Sequence, residues 1–187
     1  MDLLTPHDGE LLLRIARSEI GYAVAGTPKP LIHFFPVFEE KRGVFVTLTS
    51  GGQLRGCIGL PYPVMPLGEA IVQAATSAAL EDPRFPPVKK EELEKIHLEV
   101  TVLTVPVRIE GDAEKRPELV IVGKHGLIVR GMGTSGLLLP QVATEYGWDA
   151  KTFLDHTCTK AGLPERSWHD PRVDILTFEG QIFSEQQ

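Results

Sequence analysis

Residues 44–59 constrain this chain more than any other stretch. Val44 to Ser50 is rich in β-branched residues, Gly51-Gly52 is a two-residue turn, and Gln53 to Gly59 runs back. A Gly-Gly loop tolerates positive φ at both positions and matches the twist of antiparallel strands, so the segment reads as a β-hairpin. The short loop also predicts a register, with Val46 opposite Cys57 and Leu48 opposite Arg55. On that register Arg55 and Cys57 share a face with Val44, Val46 and Leu48, while Leu54 and Ile58 point the other way beside Phe45. Both faces then carry apolar residues and need cover.

Helices are predicted on either side of this hairpin. Thr5 is a good N-cap, Pro6 suits the first helical position, and Asp8 can reach back to the free amides. Leu12, Ile15, Ala16 and Ile20 form the apolar stripe, and Gly26 and Pro28 stop it. A second helix is predicted from Pro66 to Leu80, its alanines allowing close approach to a sheet. Asp82-Pro83-Arg84-Phe85-Pro86-Pro87 is a rigid turn. A short helical turn over Lys90–Lys95 leads to a strand from Ile96 to Val105. The order then repeats: a hairpin (Leu127–Arg130 and Leu137–Leu139) around a Gly131–Gly136 loop, helices opened by Pro140 and by Asp149, and a closing strand, Val173–Phe178. Each half reads hairpin, helix, strand, the pattern of a structural duplication. Glu110–Pro117, polar and without hydrophobic periodicity, is the best linker candidate. The expectation is one domain over residues 1–187, with at most a small subdomain.

Charge and composition exclude several classes. The net charge is −6, which argues against a general nucleic-acid binder needing a basic footprint. The N-terminus shows no basic region followed by an apolar run, and no stretch approaches the ~20 apolar residues that span a bilayer. The expected setting is cytoplasmic. Two cysteines, Cys57 and Cys158, make no disulfide framework. No Cys-x-x-Cys, His-Glu-x-x-His or Gly-x-Ser-x-Gly is present, and the Gly131-Met132-Gly133 loop sits inside a predicted hairpin and lacks the phosphate-loop lysine, so no standard zinc, dinucleotide or serine-hydrolase site is visible and the cofactor is unknown.

Cys57 is the first candidate for chemistry. A cysteine becomes a nucleophile or ligand when a neighbouring cation or base stabilises its thiolate, and Arg55 lies two residues away. Gly56 and Gly59 would let a ligand approach the backbone. Against this, free cysteine behaves as a small buried hydrophobe, Arg55 could simply form a structural ion pair, and packing is the favoured reading. His125 sits in a glycine-flanked turn with Lys124 beside it, where it could serve as a base while Lys124 binds an anion; a tight turn with exposed polar groups explains both more simply. Asp82 and Arg84 could line a pocket with Phe85 as its wall, or merely satisfy a proline corner. Gln141 follows Pro140 at a helix start, where free amides could receive an anion. Cys158 lies on an apolar helical stripe and reads as core, and Trp148 and Trp168 read as packing anchors.

Taken together the blocks resemble a known family. Leu54-Arg55-Gly56-Cys57-Ile58-Gly59 resembles the signature of the AMMECR domain family, whose prokaryotic members are called AmmeMemoRadiSam system protein A. Asp82–Val88, Gly123–Leu127, Leu138–Ala143, Gly147-Trp148-Asp149, Phe153-Leu154 and Lys160–Pro164 resemble its further blocks, in order, between Leu11 and Phe183. The resemblance implies an α+β domain of two related β-β-α-β units forming a mixed sheet with helices packed on it, plus an added N-terminal helix. It implies association with a Memo-like protein and a radical S-adenosylmethionine protein, and no particular reaction. Two function classes stand open. One is a small-molecule enzyme or modification factor using Cys57, with Arg55 as anion holder and His125 as base. The other is a non-catalytic binding or adaptor module; nucleic-acid binding is a weaker third.

Overall fold

The first helix begins where its cap predicts. The Thr5 hydroxyl accepts the Asp8 N–H at 3.2 Å and the Asp8 carboxylate accepts the Thr5 N–H at 2.8 Å, closing a capping box. Gly26, at φ 67°, supplies the left-handed C-cap. The structure, a computed structural model, describes residues 3–28 and 35–186. Its elements are α1 (Pro6–Ala25), β1 (Val44–Ser50), β2 (Gln53–Leu60), α2 (Leu67–Leu80), β3 (Ile96–Leu103), β4 (Val107–Arg108), β5 (Gly126–Gly131), β6 (Thr134–Leu138), α3 (Pro140–Glu145), α4 (Ala150–Lys160), β7 (Asp174–Phe178) and β8 (Gly180–Ser184). They form two units, Met1–Thr104 with Gln181–Gln187 and Val105–Gly180.

In the first unit the strand order is β2-β1-β3-β8. Val44, Val46 and Leu48 of β1 and Leu98 and Val100 of β3 are wholly buried, in one core with Leu12, Ala16 and Ile20 of α1 and Ile71 and Ala74 of α2. The alternate residues Phe45, Thr47, Thr49, His97, Glu99 and Thr101 are only half-buried. The sheet therefore has a dry face under the helices and a more polar face opposite.

In the second unit the order is β4-β7-β5-β6. Leu127 and Val129 of β5 and Ile175 of β7 pack with Phe153, Leu154 and Cys158 of α4. The α+β class is thus observed, with the strands divided between two four-stranded sheets. The order β2-β1-β3 of one matches β6-β5-β7 of the other. Glu110–Pro117 is no linker: Ala113–Leu119 is a 3-10 turn whose Arg116 is buried and donates to the carbonyls of Trp168 and Val173.

The hairpin turn is as predicted, with Gly51 and Gly52 at φ 57° and 77°, but the register is not. Val46 pairs with Ile58, Thr47 with Cys57, Leu48 with Gly56 and Thr49 with Leu54, so a bulge leaves Arg55 as the extra residue of β2. The cause is the approach of α2. A Cβ on Gly56 would lie 2.2 Å from the Ala78 carbonyl oxygen, so only glycine fits under the helix there. Two expectations are overturned as a result. Cys57 lies on the half-buried Thr47 face, opposite Val44, Val46 and Leu48, and Ile58 packs against the core instead of beside Phe45.

Candidate functional site

The backbone of Cys57 is held from outside the sheet. The residues after α2 make a turn in which Pro83 presets the chain, the Phe85 N–H donates to the Asp82 carbonyl at 3.1 Å and the Arg84 N–H donates to the Asp82 carboxylate at 3.1 Å. That turn aims Asp82 at β2. Its carboxylate accepts the Cys57 N–H at 2.8 Å, and Arg84 Nη2 donates to the Cys57 carbonyl at 3.0 Å. Arg84 Nε and Nη2 also bind Asp82, at 2.9 and 2.7 Å. Asp82 and Arg84 together supply what a neighbouring strand would have supplied: an acceptor for the N–H and a donor for the carbonyl.

Because Cys57 turns its N–H and carbonyl away from β1, Thr47–Cys57 is a non-hydrogen-bonded pair, in which side chains come closest. Thr47 Oγ1 and Cys57 Sγ are 3.3 Å apart. The next residue across the sheet is Glu99 of β3, whose carboxylate accepts the Ser184 hydroxyl at 3.1 Å. A row of thiol, hydroxyl, carboxylate and hydroxyl thus crosses all four strands on the polar face.

The electrostatics follow from these contacts. Hydrogen bonds from Arg84, then from the Cys57 and Arg84 amides, hold the Asp82 carboxyl far below the usual carboxylate range against the opposing effect of burial. Asp82 in turn raises Arg84, with smaller contributions from the charge and side chain of Cys57. The Arg84 side chain is 54% exposed.

Arg55 forms a structural ion pair, the simpler of its two sequence readings. Its Nε and Nη2 bind the two oxygens of Glu92 at 2.8 and 3.1 Å, and its side chain is 14% exposed. This pairing, with help from the Lys89 N–H, lowers the Glu92 carboxyl to about 2. The cation that meets Cys57 is Arg84, not the arginine two residues before it. Sequence distance concealed this: Asp82 and Cys57 lie 25 positions apart.

The other candidates belong to the second unit. His125 Nδ1 accepts the Ile121 N–H at 3.1 Å, and the His125 N–H donates to the Ile121 carbonyl at 2.9 Å, so the ring closes its own turn. Burial lowers its pKa, opposed by the charge of Glu179. With Nδ1 an acceptor, Nε2 carries the proton of the neutral ring. Lys124 pairs with Glu179 at 3.4 Å. Gln141 is exposed on the first turn of α3. Cys158 is fully buried, and burial pushes its thiol up to about 11. Trp168 is buried, while Trp148 stacks between Tyr146 and His156, with ring centroids 4.9 and 3.9 Å away. Among the described residues no group of three or more His, Cys, Asp or Glu side chains is arranged to hold a metal ion, and no helix is long and apolar enough to cross a membrane.

Comparison with known proteins gives consistent matches. The AMMECR1 family model matches residues 13–183. Protein Mbar_A1807 of Methanosarcina barkeri is 50% identical over 190 residues, covering 99% of this chain and 94% of that protein. A protein of Methanothermobacter thermautotrophicus is 51% identical over 186 residues, covering 97% of this chain and 96% of its own length. The crystal structure of the uncharacterized protein PH0010 from Pyrococcus horikoshii superimposes with a TM-score of 0.79 at 46% identity, covering 98% of this chain and 94% of that one.

Proposed function

The chain belongs to the AMMECR1 family, and from that premise we propose that it is a small-molecule enzyme or modification factor working through Cys57. One observation carries the reading: a buried carboxylate, Asp82, holds both the backbone of Cys57 and the arginine that donates to the Cys57 carbonyl. A reactive group needs a fixed position and a nearby cation, and the Cys57 backbone is fixed next to an arginine. Arg84 takes the role that sequence spacing gave to Arg55, stabilising a thiolate or receiving the anionic end of a substrate. The Thr47 hydroxyl lies within hydrogen-bonding distance of the sulfur, at 3.3 Å. The same proposal sets the protein in the cytoplasm, alongside a Memo-like protein and a radical S-adenosylmethionine protein, on the strength of the family resemblance.

A second reading has its own support. Arg84 is already neutralised by Asp82, and the pair satisfies the edge of β2 as a structural cap would. On that reading the polar face of the sheet recognises a partner protein and Cys57 is inert.

The pH dependence of iodoacetamide alkylation, read at each cysteine by mass spectrometry on the native protein, separates the two. The enzyme reading requires Cys57 to react with an apparent pKa below the ~8.5 of a free thiol. It also requires Arg84→Ala to slow the reaction at neutral pH while Arg55→Ala leaves it unchanged. Cys158 is the buried internal control. A Cys57 as silent as Cys158 until unfolding, or indifferent to Arg84, would leave the adaptor reading.

A further inference from the structure

Strand β8 has β3 on one side and, among the described residues, no strand on the other. Three contacts hold it in place. Leu4 and Gln181 exchange hydrogen bonds of 2.7 and 3.1 Å. The Phe183 ring covers Gly9, where a Cβ would come within 2.0 Å of it. Arg17 binds both oxygens of Glu185, whose carboxylate also accepts the Leu98 N–H at 2.9 Å and whose N–H donates to the Leu98 carbonyl at 3.1 Å. Glu185 thus faces β3, and the alternation of a strand turns the N–H and carbonyl of Ile182 and Ser184 outward. A strand edge held this firmly is preorganised, which lowers the cost of binding to it.

Beside that edge lies a groove of about 670 Å3. Helix α1 lines it with Gly9, Leu13 and Arg14, and the strand with Ile182 and Phe183. Ile182 is 64% exposed. Arg17 is engaged by Glu185 and two carbonyls, but the exposed Arg14 has no hydrogen-bond or ion-pair partner among the described residues. Glu10, one helical turn earlier, is the groove's opposite charge.

We propose that this groove takes an extended peptide as a fifth strand along β8, with an apolar side chain seated against Leu13 and Phe183 and a carboxylate facing Arg14. Outward main-chain donors and acceptors in strand spacing are matched best by another extended backbone. The apolar wall selects the side chain at alternate positions, and the unpaired guanidinium selects an acidic neighbour. The site is separate from Cys57 and holds whether or not that thiol reacts.

The test is selection of binders from a random decapeptide display library on the full chain, followed by fluorescence anisotropy with the labelled selected peptide. The expected sequences alternate apolar and polar residues and carry an Asp or Glu. Their affinity should fall at least tenfold in Arg14→Glu and in Ile182→Pro, which removes an outward N–H while leaving the β3 ladder intact. Arg14 is exposed, so its replacement tests the site even where the proline variant folds poorly. Recovery of no binder, or of peptides that bind both variants as well as the parent, overturns the proposal. So does a dimer of the chain that Ile182→Pro dissociates, because a second copy would then be the occupant.

Discussion

Replacing Asp82 by alanine removes four hydrogen bonds at once, and their contexts set different weights. The bond from the Cys57 N–H is charge-assisted and almost shielded from water, since the Asp82 side chain is 2% exposed; such a bond contributes roughly 1.5–3 kcal/mol. The ion pair with Arg84 is discounted to about 0–1 kcal/mol because water reaches the exposed guanidinium. The turn bond from the Arg84 N–H adds about 0.5–1.5 kcal/mol. Asp82→Ala should therefore lower the unfolding free energy by about 3 kcal/mol, measured by urea denaturation followed by far-ultraviolet circular dichroism. Asp82→Asn keeps an acceptor for Cys57 and should lose about 1–2 kcal/mol. Hydrogen exchange at the Cys57 amide should accelerate in the alanine variant. A loss under about 0.5 kcal/mol, below a single neutral hydrogen bond, would refute the claim that this carboxylate holds the edge of β2. So would an unchanged Cys57 amide.

Two further outcomes follow from the same geometry. Glu92 is held down to about 2 from an ordinary 4.5, so its contribution is complete above pH 4.5 and disappears as pH falls toward 2; wild-type stability should drop more steeply across that window than that of Glu92→Gln, a difference that acid titration of the circular dichroism signal would show. Gly56→Ala drives a Cβ into the Ala78 carbonyl and should cost about 3 kcal/mol, whereas Gly51→Ala, in an open turn at φ 57°, should cost only about 1–2 kcal/mol; denaturant midpoints of the two variants give the comparison.

Local signals in the sequence located α1, the hairpin turn and α2 to within a residue or two, because caps, glycine turns and prolines act on their immediate neighbours. What escaped was set by contacts distant along the chain. The bulge at Arg55 exists because a carbonyl of α2 needs a glycine beneath it, and a two-residue loop cannot report that. Gly56 was the available signal, since a glycine inside a strand marks a bulge or a close approach. Strand β8 escaped because five residues of modest hydrophobicity become a strand only against β3. Among the candidate residues, Cys57, Asp82 and Arg84 meet across 25 positions of chain, which no local pattern reports, while Arg55 forms the ion pair that was its simpler reading.

The two edges of the first unit's sheet show why that meeting matters. At β2 the exposed N–H and carbonyl of Cys57 are filled by a carboxylate and a guanidinium, so no further strand can add there without displacing a buried charge. The same cap leaves the thiol on the polar face, beside the Thr47 hydroxyl. At β8 the clamps come from the helix side, through Gly9, Arg17 and Leu4, and the outer edge has no such cap among the described residues. One edge is closed around a single residue and the other is held ready for a backbone. The asymmetry keeps the two proposals apart, and the Arg84→Ala and Arg14→Glu variants address them separately.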